Sequence, residues 1–240
     1  IIMANYIYGK NTVKSYLESN GKVKVLYLFN KGNFNDLVQL AKAKQVRVEF
    51  IDKNRLDKMA SGVHQGVILE IEDYTYYQLD DLLTDNKHQL IVLCDQLEDP
   101  HNLGAILRSC DAAGVDGVIV GKHRSVGLNA TVAKVSTGAI NTVKVVEATN
   151  MVDTIKTLKN HGYWVIAAEN DVKAVDYTEF NVDMPIVLVV GSEGSGISRL
   201  VKKECDILTT IPMNGSVNSL NVSVATGILL FDIIRRRRAL

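Results

Sequence analysis

Along residues 22–71, short apolar runs alternate with amphipathic stretches. Val23 to Phe29 reads as a strand, Asn35 to Lys44 as an amphipathic helix, Val46 to Ile51 as a strand, Asn54 to Ala60 as a short helix and Gly66 to Ile71 as a strand. This alternation predicts a compact α/β module over residues 1–75. Between Asp73 and His88 the chain turns polar and acidic, with Tyr74, Tyr76 and Tyr77 followed by Asp80, Asp81 and Asp85, and the shift predicts a linker over 76–88. From Gln89 onward the pattern changes again. Runs rich in Val and Ile recur between helical patterns at Leu90–Cys94, Gly117–Gly121, Val143–Val146, Trp164–Ala168, Ile186–Val190 and Ile207–Ile211. Continuous apolar strands separated by helices are what a parallel sheet covered on both faces requires. The expected architecture is therefore α/β throughout, a small module followed by a parallel-sheet domain over 89–240.

Composition narrows the class. Of 240 residues, 47% are hydrophobic and 3 are proline, enough apolar content for two cores and too little bias for a disordered chain. The longest apolar runs, such as Pro185–Val190 and Gly227–Phe231, fall well short of the ~18 residues of a membrane span. No membrane association is expected, and with no basic-then-apolar leader at the start of the sequence the expected compartment is the cytoplasm. Cys94, Cys110 and Cys205 are odd in number and include no C-x-x-C pair, which argues against a disulfide framework and a zinc site; buried thiols and no metal are expected.

Charge adds a partner question. Lys plus Arg and Asp plus Glu both number 27, so bulk attraction to nucleic acid is absent. The distribution is uneven, however. Residues 1–75 carry 11 basic and 8 acidic side chains, leaving 16 and 19 for the rest. A basic surface on the first module could face a partner, with Lys22, Lys24 and Lys31 flanking one strand and Lys42, Lys44 and Arg47 around a helix end. Arg235 to Arg238 either close a helix against its macrodipole or contact phosphate.

Three polar patches could carry chemistry. Gly191-Ser192-Glu193-Gly194-Ser195-Gly196 follows a buried strand and precedes a helix expected near Ile197, a setting in which backbone amides approach a ligand. It is not G-x-G-x-x-G, and Gly117–Lys122 with His123 lacks the Walker spacing, so a Rossmann cofactor and phosphoryl transfer are both disfavoured. Asp95 to Ser109 contains Pro100, Asn102 as a candidate helix cap, and Arg108 less than two turns beyond it, where it could reach over the strand ends. Ile211 to Ala225 is a loop rich in Asn, Ser and Gly, with Ser219 as a candidate cap for a helix running to Ile234 and Asn221 and Ser223 early in that helix.

Together these elements, N-x-x-x-x-x-R, G-x-E-x-x-G and I-P-M-x-G-x-x-x-S-L-N-V-S-V-A, closely resemble the three motifs of the SpoU/TrmH family of the SPOUT superfamily, RNA ribose 2′-O-methyltransferases. The resemblance covers about Leu90 to the C-terminus. The first module, including His64-Gln65-Gly66, resembles the RNA-binding extension of the RlmB type, whose members methylate a guanosine of large-subunit ribosomal RNA. The resemblance implies S-adenosylmethionine as donor, a C-terminal trefoil knot, and a homodimer with the active site near its interface. It implies donor contacts from Gly191, Ile211, Met213 and Leu220, and catalytic positions at Asn102, Arg108, Glu193, Ser219 and Asn221. A guanidinium stays charged at neutral pH. Arg108 is therefore expected to hold the RNA phosphate rather than act as a base. Transfer RNA as substrate, and a non-catalytic RNA-binding assembly factor, are the alternative expectations.

Overall fold

The structure is a computed structural model that describes residues 5–18, 22–60, 62–72, 74–84 and 86–240. Its first module contains β1 (Asn5–Tyr8), α1 (Lys10–Glu18), β2 (Val23–Phe29), α2 (Asn35–Ala43), β3 (Arg47–Ile51), α3 (Lys53–Met59) and β4 (Val67–Ile71), with the strands in the order β1-β4-β2-β3. β2 and β3 are parallel across α2, β4 runs antiparallel to β2, and β1 antiparallel to β4. The three strands expected from the pattern appear to within a residue. β1 and α1 are not signalled: a four-residue edge strand is too short to show alternation, and α1 buries only Val13, Tyr16 and Leu17. On the other face of the sheet, Leu56 of α3 packs on Ile51 and Ile68.

The second domain contains β5 (Leu90–Cys94), α4 (Pro100–Ala113), β6 (Gly117–Gly121), α5 (Ala130–Ser136), β7 (Val145–Ala148), α6 (Met151–Asn160), β8 (Trp164–Ala168), β9 (Val175–Asp176), β10 (Ile186–Val190), α7 (Arg199–Glu204), β11 (Ile207–Thr210) and α8 (Val222–Arg237). Its strands, in the order β7-β6-β5-β10-β8-β11-β9, are all parallel. Every residue of β5, β6 and β10 is buried, which is why these segments read as unbroken apolar runs. The chain winds from β5 outward through β6 to β7. It then crosses to the other side, where β10 inserts between β5 and β8. Ligands of open parallel sheets bind beyond the carboxyl ends of the strands, beside such a reversal.

The acidic stretch before this domain packs on the second sheet. Tyr77 bridges Val146, the Tyr76 hydroxyl accepts a hydrogen bond from the Leu128 amide at 2.8 Å, and Leu82 fills the space over Gly117, where a Cβ would lie 2.4 Å from it. Ile7 and Val13 of the first module share one buried cluster with Val132 and Ala133 of α5. At the far end of the chain, Arg236 donates to the carbonyls of Tyr177, Thr178 and Phe180, and Arg237 to those of His88, Gln89, Val182 and Met184. These two arginines therefore close the helix against the body of the domain and are not available to phosphate. Among the described residues no helix is long and apolar enough to cross a membrane, and no group of three or more His, Cys, Asp or Glu gathers as a metal site.

Candidate active site

A cleft of about 600 Å³ opens at the carboxyl ends of β8, β10 and β11 and reaches the first turns of α8. One wall is the loop after β10. A Cβ on Gly191 would lie 2.2 Å from the carbonyl carbon of Gly196 and 2.4 Å from the Ile197 nitrogen, so only glycine fits there. Gly194 and Gly196 adopt φ of +91° and +65°, the left-handed region that favours glycine. Ser192 and Gly196 exchange two backbone hydrogen bonds of 3.1 and 3.0 Å, which pinch the loop shut. Buried Asp95, at the end of β5, accepts from the Ser198 amide at 2.7 Å and fixes the exit of the loop. Ile211, Met213, Ser219 and Leu220 form the facing wall, tied across the cleft by the Asn170 side chain, which donates to the Asn218 carbonyl at 3.2 Å.

The three sequence patches meet at one edge of this cleft. Asn102, the third residue of α4 and 5% exposed, donates from Nδ2 to Glu193 Oε1 at 3.1 Å. The Asn221 amide donates to the same Oε1 at 2.5 Å and to Asn102 Oδ1 at 2.9 Å. Asn221 Oδ1 in turn accepts from the amides of Ser223 and Val224 at 2.9 and 3.3 Å, capping α8. One side chain thus caps α8 and cross-links the first turn of α4 to the loop after β10. On the far side of Glu193 lies a recess of about 250 Å³ lined by Gln96, Leu97, Glu98, Asp99 and Asn102, which shares Ser192, Glu193 and Ser195 with the cleft.

Gly191, Glu193, Ile211, Met213, Ser219, Leu220 and Asn221 all line the cleft, while Asn102 lines the recess. Arg108 lines neither. It is exposed on α4, about 120° round the helix from Asn102 at 100° per residue. Two helix caps differ from the local reading of the sequence. Asp99, not Asn102, caps α4 by accepting from the His101 amide at 2.9 Å, because Pro100 takes the first helical position and the cap must precede it. Asn221, not Ser219, caps α8. Glu169, just beyond β8, is a cleft residue the motifs do not mark. Its carboxylate accepts from the Ile197 amide at 3.2 Å, and with Glu193 it is one of two ionisable side chains in the lining. The available signal was its place directly after a buried strand in the same sheet.

Comparison with known proteins agrees with this geometry. Residues 89–231 match the model of the SpoU rRNA Methylase family, and residues 6–77 match a domain described as RNA 2′-O ribose methyltransferase substrate binding. A Staphylococcus haemolyticus protein named after the TrmH family of tRNA/rRNA methyltransferases is 46% identical over 96% of this chain and 95% of its own length. The protein YacO of Bacillus subtilis, named in the same way, is 40% identical over 97% and 96%. Among solved structures, the AdoMet-bound rRNA methyltransferase of Sinorhizobium meliloti superposes with a TM-score of 0.74 at 26% identity, covering 99% of this chain and 88% of that one. With the family model spanning more than half of the residues and relatives matching nearly end to end, the chain belongs to the SpoU/TrmH family of RNA methyltransferases.

Proposed function

We propose that this protein transfers the methyl group of S-adenosylmethionine to the ribose 2′-hydroxyl of a guanosine in large-subunit ribosomal RNA, in the cytoplasm and as a homodimer. The observation that carries the reading is the junction of Asn102, Glu193 and Asn221, where one residue from each of three separate motifs is hydrogen-bonded between two adjoining cavities. The cleft suits the donor. It has the volume of a cofactor pocket, glycine-rich backbone, apolar Ile211 and Leu220, and carboxylates as its only ionisable groups, which favours a cation. We read the second domain as knotted, a reading that rests on the likeness to the SpoU/TrmH family.

Gly191, Ile211, Met213 and Leu220 would hold the donor, which when bound supplies an electrophilic methyl group on a sulfonium. The protein's own part is alignment and charge placement. Glu193 Oε1 has both lone pairs engaged by amide donors, so this oxygen orients and does not take a proton. Ser219, exposed at the cleft mouth, orients the ribose. Arg108 holds the RNA phosphate with its planar fork and, as a fixed cation, lowers the pKa of the attacking hydroxyl.

A dimer would explain why Arg108 lines neither cavity of its own chain. α4 packs beside α8, approaching closely where Ser109 meets Gly227, and Val224 and Phe231 of α8 are 51% and 50% exposed on one face. A second copy covering that face would bring Arg108 to a site shared between subunits. The functional test is incubation of the full chain with methyl-labelled donor and separated ribosomal and transfer RNA, followed by nucleoside analysis. Label in 2′-O-methylguanosine of large-subunit RNA is expected. Label confined to transfer RNA would move the substrate, and donor binding without transfer to either would make the protein a non-catalytic RNA binder.

A further inference from the structure

The charge excess of the first module sits at one pole. β2 and β3 end there, β4 begins there, and the loops before α1, α2 and α3 all open on that side. Lys10 and Lys14 of α1, Lys31 of the loop after β2, and Lys53, Arg55 and Lys58 of α3 stand there with Asp36, Asp52 and Asp57, the carboxylates of the module at this pole among the described residues. Two of those three are committed. Asp52 caps α3 through the Arg55 amide at 3.0 Å, and Asp57 pairs with His64 Nε2 at 2.8 Å. All six cations are exposed, and none is in an ion pair among the described residues. The opposite pole is closer to balance, with five cations against four carboxylates among the described residues. There Lys22, Lys24, Lys42, Lys44 and Arg47 stand with Glu18, Glu49, Glu70 and Glu72, and Arg47 is paired to Glu49 at 2.7 Å.

The basic pole is also rigid. Gln65 and Gly66 both take left-handed backbone, φ +54° and +76°. The Gln65 side chain accepts from the Lys10 amide at 2.9 Å, and His64 Nδ1 accepts from the Gly66 amide at 3.0 Å. The His64-Gln65-Gly66 turn thereby locks the start of α1 to the start of β4. The Tyr8 ring, 38% exposed, lies over Gly62 at the same pole and leaves an aromatic face beside the cations. Exposed cations outside any ion pair, carried on backbone braced by this turn and near an exposed ring, suit a sugar–phosphate backbone with an unstacked base.

We propose that RNA docks on this pole, its phosphates held by Lys31, Lys53, Arg55 and Lys58 together with Lys10 and Lys14, and not on the cluster of Lys22, Lys24, Lys42, Lys44 and Arg47. The inference rests on the RNA methyltransferase reading above and names the face of the module that serves it. Its test uses two full-length variants with equal charge change: Lys31→Ala, Lys53→Ala, Arg55→Ala and Lys58→Ala combined, and Lys22→Ala, Lys24→Ala, Lys42→Ala and Arg47→Ala combined. The probe is a fluorescent transcript of large-subunit ribosomal RNA, titrated from 50 to about 200 mM salt, with KM and kcat for methylation measured in parallel.

For the first variant, the slope of log K against log salt should flatten by about 0.7 per lost phosphate contact, up to about 3. Affinity should fall at least tenfold and KM rise with kcat held. The second variant should stay within about twofold of wild type. Equal losses in both variants, or a loss confined to the second, would overturn the assignment of the pole while leaving RNA methylation intact. Absence of RNA binding and methylation in the wild type would remove the functional reading itself, and the pole with it. Should the combined variant fold poorly, Arg55→Glu and Lys31→Glu singly must each weaken binding for the proposal to stand.

Discussion

Asn221→Asp separates the two jobs of the residue that joins the motifs. Aspartate caps a helix as well as asparagine, so the bonds from the Ser223 and Val224 amides persist. What changes is the group facing Glu193. An amide donor 2.5 Å from Oε1 becomes an oxygen, and two hydrogen bonds are lost, the one to charged Glu193 worth about 1.5 kcal/mol after allowance for solvent and the one to Asn102 Oδ1 worth about 1 kcal/mol. Two ionised carboxylates about 2.8 Å apart repel by about 1.5 to 3 kcal/mol at an effective dielectric of 80 to 40. The total is about 4 to 5.5 kcal/mol near pH 8, or a fall in Tm of about 8 to 22 °C for a chain of this size. Like charges this close share a proton, so in the folded variant one carboxyl has a pKa raised above its unfolded value near 4. The folded state then binds more protons than the unfolded one. The variant's stability relative to wild type therefore falls as pH rises from about 4 and levels off above the raised pKa. Asn221→Ala, which loses the cap and both donated bonds together, should show a deficit of about 3 to 4 kcal/mol that does not vary with pH. Scanning calorimetry of the three proteins from pH 4.5 to 8.5 decides the matter. A flat deficit for the aspartate variant, or one that shrinks as pH rises, would refute the contact between Asn221 and Glu193.

Gly191→Ala forces a methyl into backbone at 2.2 Å and should cost about 1 to 3 kcal/mol or more, with loss of donor affinity by calorimetry; unchanged affinity would mean the loop after β10 does not shape the donor site. Arg108→Ala should abolish methyl transfer with donor affinity retained, and Arg108→Lys should rescue little because a point charge does not replace a planar fork; parallel loss of donor binding would point to a structural role. Burial raises the thiols of Cys94 and Cys205 to about 12 and that of Cys110 well above its ordinary value, so thiolate is scarce at pH 8. Iodoacetamide should then label the native protein slowly and all three cysteines after unfolding, and rapid native labelling would contradict this packing. Light scattering should give twice the 26.4 kDa chain mass, and Phe231→Glu should shift the mass toward a monomer with loss of activity; a fully active monomer would sink the dimer.

How much of this could be read from the chain depends on how far apart the interacting residues lie. The strands of the second sheet are legible because β5, β6 and β10 are covered on both faces, so burial acts on every residue in a row and leaves an unbroken apolar run. Their spatial order is not legible, since nothing local in Ile186–Val190 states that this strand slides between β5 and β8. The same limit governs the caps. Asn102 and Ser219 are plausible local caps, yet Pro100 displaces one and α8 starts too late for the other, its cap falling two residues further on at Asn221.

The site shows the limit most clearly. Asn102 lies 91 residues from Glu193 and 119 from Asn221, so their junction has no signature in spacing, and the resemblance to a family groups the three residues without stating that they touch. Glu169 was missed because it belongs to no motif and enters the cleft through the register of β8 beside β10. In the first module, counting charge finds an excess in residues 1–75 but cannot place it. Lys31 and Arg47 look equivalent in the sequence. Only the parallel pairing of β2 with β3 sends the end of one strand and the start of the other to opposite poles, where one cation is free and the other is paired with Glu49. Strand direction, which decides that outcome, is a property of the sheet as a whole and not of any residue within it.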